Sequence, residues 1–140
     1  MNAPVEALPL YGLETLGDAR QVIVVEGEKC RDKLAAVTFR TVVSWSGGTQ
    51  GVKHTDWSPL AGRNVVIWPD ADAPGLGTAN EIAAILVDLG CTVRVMDVMR
   101  DDPPKGWDAA DAIGDGWDKA RLDTFMRETV RPWSPPKPVA

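Results

Sequence analysis

Gln21-Val22-Ile23-Val24-Val25-Glu26-Gly27-Glu28 begins as a β-branched run and ends in two carboxylates. An unbroken apolar run, rather than an alternating one, predicts a strand buried on both faces, as in a parallel sheet covered by helices. Residues 28–38 follow with Cys30, Leu34 and Val37 at helical spacing, which predicts a helix with one inward face. The alternation then repeats. Thr41-Val42-Val43-Ser44-Trp45 reads as a second strand and leads into the glycine-rich loop Ser46-Gly47-Gly48-Thr49-Gln50-Gly51. Residues 52–61 are irregular. Asn64-Val65-Val66-Ile67-Trp68 reads as a third strand ending at Pro69-Asp70. Residues 77–89 read as a helix with Ala79, Ile82, Ala83, Leu86 and Leu89 inward, stopped by Gly90 in a left-handed conformation. Thr92-Val93-Arg94-Val95-Met96 is the fourth strand, and a last helix over 117–129 turns Leu122, Phe125 and Met126 to one side. Strands alternating with helices predict a compact α/β fold of about four parallel strands with helices on both faces.

The ends read differently. Residues 1–20, with Pro4, Pro9 and Gly12, form a lead-in with room for one helical turn near Glu14 to Ala19. Such a lead-in suggests a chain cut from something longer or one that begins beside a partner domain. The α/β domain is expected over 21–130. Residues 131–140, rich in proline, cannot be helix or interior strand and are expected to be a tail or linker.

The totals narrow the function classes. With 140 residues, 44% hydrophobic and 25% charged, the chain is ordinary for one globular domain. A net charge of −5 argues against gripping nucleic acid by bulk electrostatics. It is compatible with a phosphate site in which carboxylates hold a cation and the cation meets the phosphate. Two separated cysteines, Cys30 and Cys91, and the single His54 exclude a structural zinc site and point to a reducing, cytoplasmic setting. No signal peptide is evident and no apolar stretch is long enough to span a bilayer.

In open parallel sheets functional groups collect at the carboxyl ends of the strands. Here the first strand leads to Glu26-Gly27-Glu28, the second to Gly47-Gly48, the third to Asp70-Ala71-Asp72, and the fourth, after a loop, to Asp108-Ala109-Ala110-Asp111. Carboxylates crowded in this way repel one another unless a cation lies between them. Mg²⁺ favours such hard oxygen ligands and usually keeps waters while bridging to phosphate. Plainer roles exist for several of these residues. Asp72 and Asp108 suit helix caps, and Glu28 suits the first turn of a helix. Backbone amides of the Gly47-Gly48 loop could meet a phosphate or simply form a tight turn. The loop lacks the lysine-serine/threonine ending of a P-loop. Of Lys29, Arg31 and Lys33, only Lys29 is favoured as a phosphate contact. Trp45 and Trp68 read as core residues, and His54 receives no role.

Val24-Val25-Glu26-Gly27-Glu28-Lys29, then Gly47-Gly48, then Pro69-Asp70-Ala71-Asp72-Ala73-Pro74-Gly75, then Gly106-Trp107-Asp108-Ala109-Ala110-Asp111 together resemble the Toprim domain. That domain is shared by topoisomerases, primases and some nucleases. The resemblance covers roughly residues 21–114, and the Lys105-to-Asp111 segment looks most like primases and primase-helicases of phages, plasmids and integrated elements. It implies that Glu26 is a metal ligand or general acid/base and that Asp70 and Asp72 bind Mg²⁺ or Mn²⁺. It also implies that Asp108 or Asp111 completes the site. The implied partners are nucleotides, single-stranded DNA and neighbouring primase or helicase domains, with no membrane. Leu76 departs from the pattern, standing where many primase relatives carry a basic residue.

Three rival readings follow. Haloacid-dehalogenase phosphatases also use Asp-x-Asp, but after their first strand, whereas here the pair follows the third. A Toprim nuclease shares the acidic site. A non-catalytic module that keeps the fold to bind a nucleotide or partner is the third. The primase reading requires Glu26 and Asp70 to converge on neighbouring strands.

Overall fold

A computed structural model describes residues 7–136. Five strands form one sheet in the order β2-β1-β3-β4-β5. They are β1 (Gln21–Glu26), β2 (Val42–Trp45), β3 (Asn64–Ile67), β4 (Thr92–Met96) and β5 (Val130–Pro132). The first four are parallel, and β1 and β3 are central neighbours, with Val24 opposite Ile67. The expected parallel α/β sheet is therefore present. The fifth strand is an addition to it. β5 runs antiparallel to β4, with Val130 opposite Met96 and Pro132 opposite Arg94. An edge position tolerates a residue that lacks an N–H, which is how Pro132 is accommodated.

The helices are α1 (Glu28–Thr38), α2 (Gly48–Val52), α3 (Ala73–Asp88), α4 (Ala109–Gly114) and α5 (Lys119–Thr129). They lie on both faces of the sheet. On one face Val22, Val24, Val65 and Ile67 pack against Ala79, Ile82 and Leu86 of α3. On the other Ile23, Val25, Val66 and Trp68 pack against Cys30 and Leu34 of α1, Ala109 and Ala112 of α4, and Leu122 and Phe125 of α5. Each large side chain fully buried in these layers contributes about 1.5–3 kcal/mol. Trp45 and Trp68 are core residues as expected, and Trp57 joins them. Cys30 and Cys91 are free and buried in opposite layers.

Several boundaries move for identifiable reasons. α3 starts at Ala73 rather than 77 because Asp72 caps it and Pro74 occupies the first turn, where a missing N–H is harmless. The glycine loop after β2 contains α2, a short helix of low intrinsic propensity. Tertiary bonds support it: Trp45 Nε1 donates to the Gly48 carbonyl at 2.9 Å, and the Thr49 and Thr78 hydroxyls are 2.9 Å apart. α5 starts at Lys119 because Asp118 caps it, accepting from the Arg121 N–H at 2.9 Å. The lead-in carries a 3-10 turn at Leu13–Thr15, adds Leu10 and Leu16 to the core, and pairs Tyr11 with Ser44 of β2.

Candidate functional site

The carboxyl ends of β1 and β3 stand side by side, and the residues that follow them meet. Glu26 and Asp70 are near enough that Glu26 acts on the Asp70 carboxyl. Burial, then the negative charges of Glu26, Asp108 and Asp72, push the Asp70 carboxyl up from 3.8 to about 7. A cleft of about 220 Å³ opens here, lined by Glu26, Gly48, Thr49, Asp70, Asp72 and Thr78.

The Asp70-to-Gly75 turn fixes two of these groups. Asp72 Oδ1 accepts from the Gly75 N–H at 2.6 Å, and the Asp72 N–H donates to the Asp70 carbonyl at 2.9 Å. Gly75 packs so tightly that a Cβ there would collide with the Asp70 carbonyl and Asp72 Oδ1. Glycine is therefore required by space as well as by the turn.

Asp108 arrives through the backbone. The Ala71 N–H donates to the Trp107 carbonyl at 3.0 Å, and the Gly106 N–H donates to the Ala71 carbonyl at 2.9 Å. This pairing holds the segment before α4 against the Asp70-Asp72 turn. Burial pushes the Asp108 carboxyl up, against the lowering effect of the Asp111 N–H, while the Asp111 carboxylate raises it further. Asp108 and Asp111 also form a capping box: the Asp111 N–H donates to Asp108 Oδ1 at 2.9 Å, and the Asp108 N–H to Asp111 Oδ2 at 3.0 Å. Asp108 is near enough to act on Asp70, while Asp111 is exposed and outside the cleft lining.

The remaining candidates divide. Gly48 lines the acidic cleft. Gly47 faces a separate depression with Leu8, Ser46 and His54. Lys29 is exposed on the first turn of α1 and does not line the cleft. Thr49 and Thr78 were not singled out in the sequence, yet both residues line it, and the Thr78 hydroxyl donates to the Pro74 carbonyl at 2.9 Å. The signal for Thr49 was its place beside Gly47-Gly48 after a strand. Thr78 had none beyond its position one turn after Pro74. Burial, with the Asp108 charge next, pushes the Cys30 thiol up to about 12, which excludes a thiolate at neutral pH.

Among the described residues, no three acidic, histidine or cysteine side chains are grouped to hold a metal ion unaided. The donor chemistry still suits Mg²⁺ or Mn²⁺. Mg²⁺ typically takes one or two carboxylates and completes its shell with water and substrate phosphate. Glu26, Asp70 and Asp72 offer hard oxygens in one cleft, and the displaced proton equilibrium of Asp70 marks unneutralised negative charge there.

This arrangement of strands and helices has solved counterparts. A DNA primase domain from Pseudomonas aeruginosa matches with TM-score 0.60, 19% identity, and 94% of this chain against 42% of its own. The Aquifex aeolicus primase, comprising zinc-binding and RNA polymerase domains, matches with TM-score 0.58 and 20% identity over 85% of this chain and 28% of its own. The fold is the Toprim fold of DNA primases. A chain of a bacteriophage T7 complex shares it with TM-score 0.62 and 18% identity, over 89% of this chain and 61% of that one. In that complex a lagging-strand DNA polymerase interacts with primase domains bound to an RNA/DNA hybrid and dTTP. The present chain thus spans between 28% and 61% of the lengths of these three. No protein-family model and no curated protein matches the sequence. Among the described residues, no helix is long and apolar enough to cross a membrane.

Proposed function

We propose that this chain is the metal-binding Toprim unit of a primase-type nucleotidyltransferase acting in DNA replication within a larger protein. One observation carries the reading: Glu26 and Asp70 converge from adjacent parallel strands, with Asp72 in the same cleft and Asp108 beside it. Asp70 and Asp72 are the residues that would hold Mg²⁺ or Mn²⁺, with Asp108 in support. When bound, the ion supplies charge neutralisation and orientation for nucleotide phosphates. Glu26 is placed to accept the proton of an attacking hydroxyl. Gripping a single-stranded template normally takes a basic groove. At a net charge of −5, this chain leaves that task to neighbouring domains.

A calorimetric Mn²⁺ titration of the wild type and of Asp70→Ala/Asp72→Ala tests the metal site. Binding by the wild type alone is expected; equal affinity in both would overturn the reading. A primer-synthesis assay with labelled ribonucleotides and a single-stranded template tests the activity. Asp70-dependent primers are expected from the full-length parent and none from the isolated chain. Strand cleavage without primers would indicate a Toprim nuclease. The non-catalytic reading draws on one feature, the half-exposed Leu76 on α3 where a basic residue is expected. It predicts no product from the parent at all.

A further inference from the structure

Away from the acidic cleft, the sheet carries a second cavity of opposite charge. It measures about 350 Å³ and is lined by Arg40, Arg94, Arg127 and Asp123 over an apolar floor that includes Ile23 and Val66. The strand register places Ile23, Val66 and Arg94 in one row across β1, β3 and β4. That row lies three residues before Glu26 on β1, about 10 Å along the strand at ~3.3 Å per residue. The cavity is thus displaced toward the amino ends of the strands, beneath α5, whereas the carboxylates gather at the carboxyl ends.

The charge balance of this cavity is unusual for an acidic chain. Three guanidiniums face one carboxylate, and that carboxylate is already engaged: Asp123 Oδ1 accepts from Arg40 Nε at 3.0 Å and Oδ2 from Lys119 Nζ at 2.6 Å. Among the described residues, the Arg127 side chain bonds only the Thr124 hydroxyl, at 3.3 Å. Arg94 is half-buried on a strand, and among the described residues it makes no ion pair and no side-chain hydrogen bond. A half-buried arginine inside a sheet normally has a partner, because its charge is partly desolvated there. The planar fork of a guanidinium matches the oxygens of a phosphoryl group, and an apolar floor strengthens such a pairing by excluding water. The volume lies in the range of sites for small organic ligands, larger than one inorganic ion needs.

We propose that Arg94 and Arg127, with Arg40 at the rim, form a phosphoryl-binding site for a phosphate ester, separate from the acidic cleft. The phosphoryl group sits between the Arg94 and Arg127 guanidiniums, and the body of the ester lies over Ile23 and Val66. The source is a free nucleotide or the backbone of a nucleic-acid strand, which present the same chemistry to the arginines. The site does not depend on the primase reading, since it needs neither metal nor turnover.

The test uses the full chain in EDTA, where the acidic cleft repels phosphates. Binding of pyrophosphate, ATP and a 12-nucleotide single-stranded DNA is followed by calorimetry, and amide shifts are mapped by NMR. At least one probe is expected to bind, with shifts at Gln21, Arg94 and Arg127 rather than at Glu26 and Gly48. Arg94→Gln/Arg127→Gln is expected to weaken that binding at least tenfold while leaving Mn²⁺ affinity unchanged. Arg94→Lys keeps the charge without the fork and is expected to weaken it severalfold, which serves if the double variant does not fold. Tighter binding of ATP names a nucleotide site, and tighter binding of the oligonucleotide names a strand-tracking one. No binding by any probe at millimolar concentration, or equal binding by wild type and variants, would overturn the proposal.

Discussion

Asp72 Oδ1 accepts the Gly75 N–H at 2.6 Å, so one oxygen of a candidate metal ligand is also the N-cap of α3. Its second oxygen faces Gly106, where a Cβ would stand 3.6 Å away. A single carboxylate therefore anchors the longest helix and contributes charge to the cleft. The two duties can be separated, because asparagine caps helices about as well as aspartate.

Asp72→Asn is expected to keep the stability of the metal-free protein and to lose most Mn²⁺ affinity. Asp72→Ala is expected to lose both, with the missing cap costing about 0.5–2 kcal/mol. Urea unfolding in EDTA and Mn²⁺ calorimetry on the two variants check this. Equal stability of Asp72→Ala and Asp72→Asn would show that the cap contributes nothing.

The Asp70 carboxyl sets a pH dependence. Its value is raised from 3.8 in the unfolded chain to about 7 in the folded one. Below about pH 4 both states hold the proton, and its stabilising contribution is complete. As pH rises toward 7 the unfolded state releases the proton first, so stability falls, and it levels off once the folded state is ionised too. Asp70→Asn abolishes this slope and is expected to stabilise the metal-free protein at pH 8 by about 1–2 kcal/mol, after allowance for solvent screening of a half-exposed group. Unfolding free energies from pH 4 to 8 in EDTA are the measurement; a wild-type stability that rises from pH 5 to 8 relative to Asp70→Asn contradicts the assignment.

Gly75→Ala forces a methyl group against the Asp70 carbonyl and Asp72 Oδ1. The turn must open, at about 1–3 kcal/mol. Metal affinity should fall with stability, although no carboxylate has been removed. Gly77→Ala is the control, since a Cβ there meets nothing within 4 Å. It should be neutral or slightly stabilising in a helix interior.

Trp133 ties the segment after β5 to α3. Its Nε1 donates to Asn80 Oδ1 of α3 at 2.9 Å, and its ring packs on the α3 side of the sheet. Trp133→Ala is expected to cost about 1–3 kcal/mol, below the range for a fully buried tryptophan. A change within experimental error in thermal unfolding would place Trp133 outside the folded unit.

The parallel sheet was legible because each central strand is apolar on both faces. Val22 to Val25 and Val65 to Ile67 leave no other structure that buries them so well. The meeting of Glu26 and Asp70 was legible because both follow such strands. Asp108 was harder to place. Its position depends on the Ala71–Trp107 backbone pairing, which no side-chain pattern announces. β5 was hidden by its length and by Pro132, and α2 by its glycines. Arg94 looked like one polar residue in an apolar strand; only the register that sets it beside Val66, under α5, makes it conspicuous.

Both rims of the sheet are closed to further strands. Along β2, the Ser44 N–H and carbonyl are both bonded to Tyr11, and the Val42 carbonyl accepts Arg31 Nε at 2.8 Å. Along β5, Pro132 has no N–H to offer. A sheet sealed in this way resists edge-to-edge association and cannot be lengthened by a partner's strand. Any neighbouring domain must therefore engage this one through its helices and the loops at the strand ends. Contact made there can shift the loops that carry Glu26, Asp70 and Asp108 without disturbing the strands beneath them.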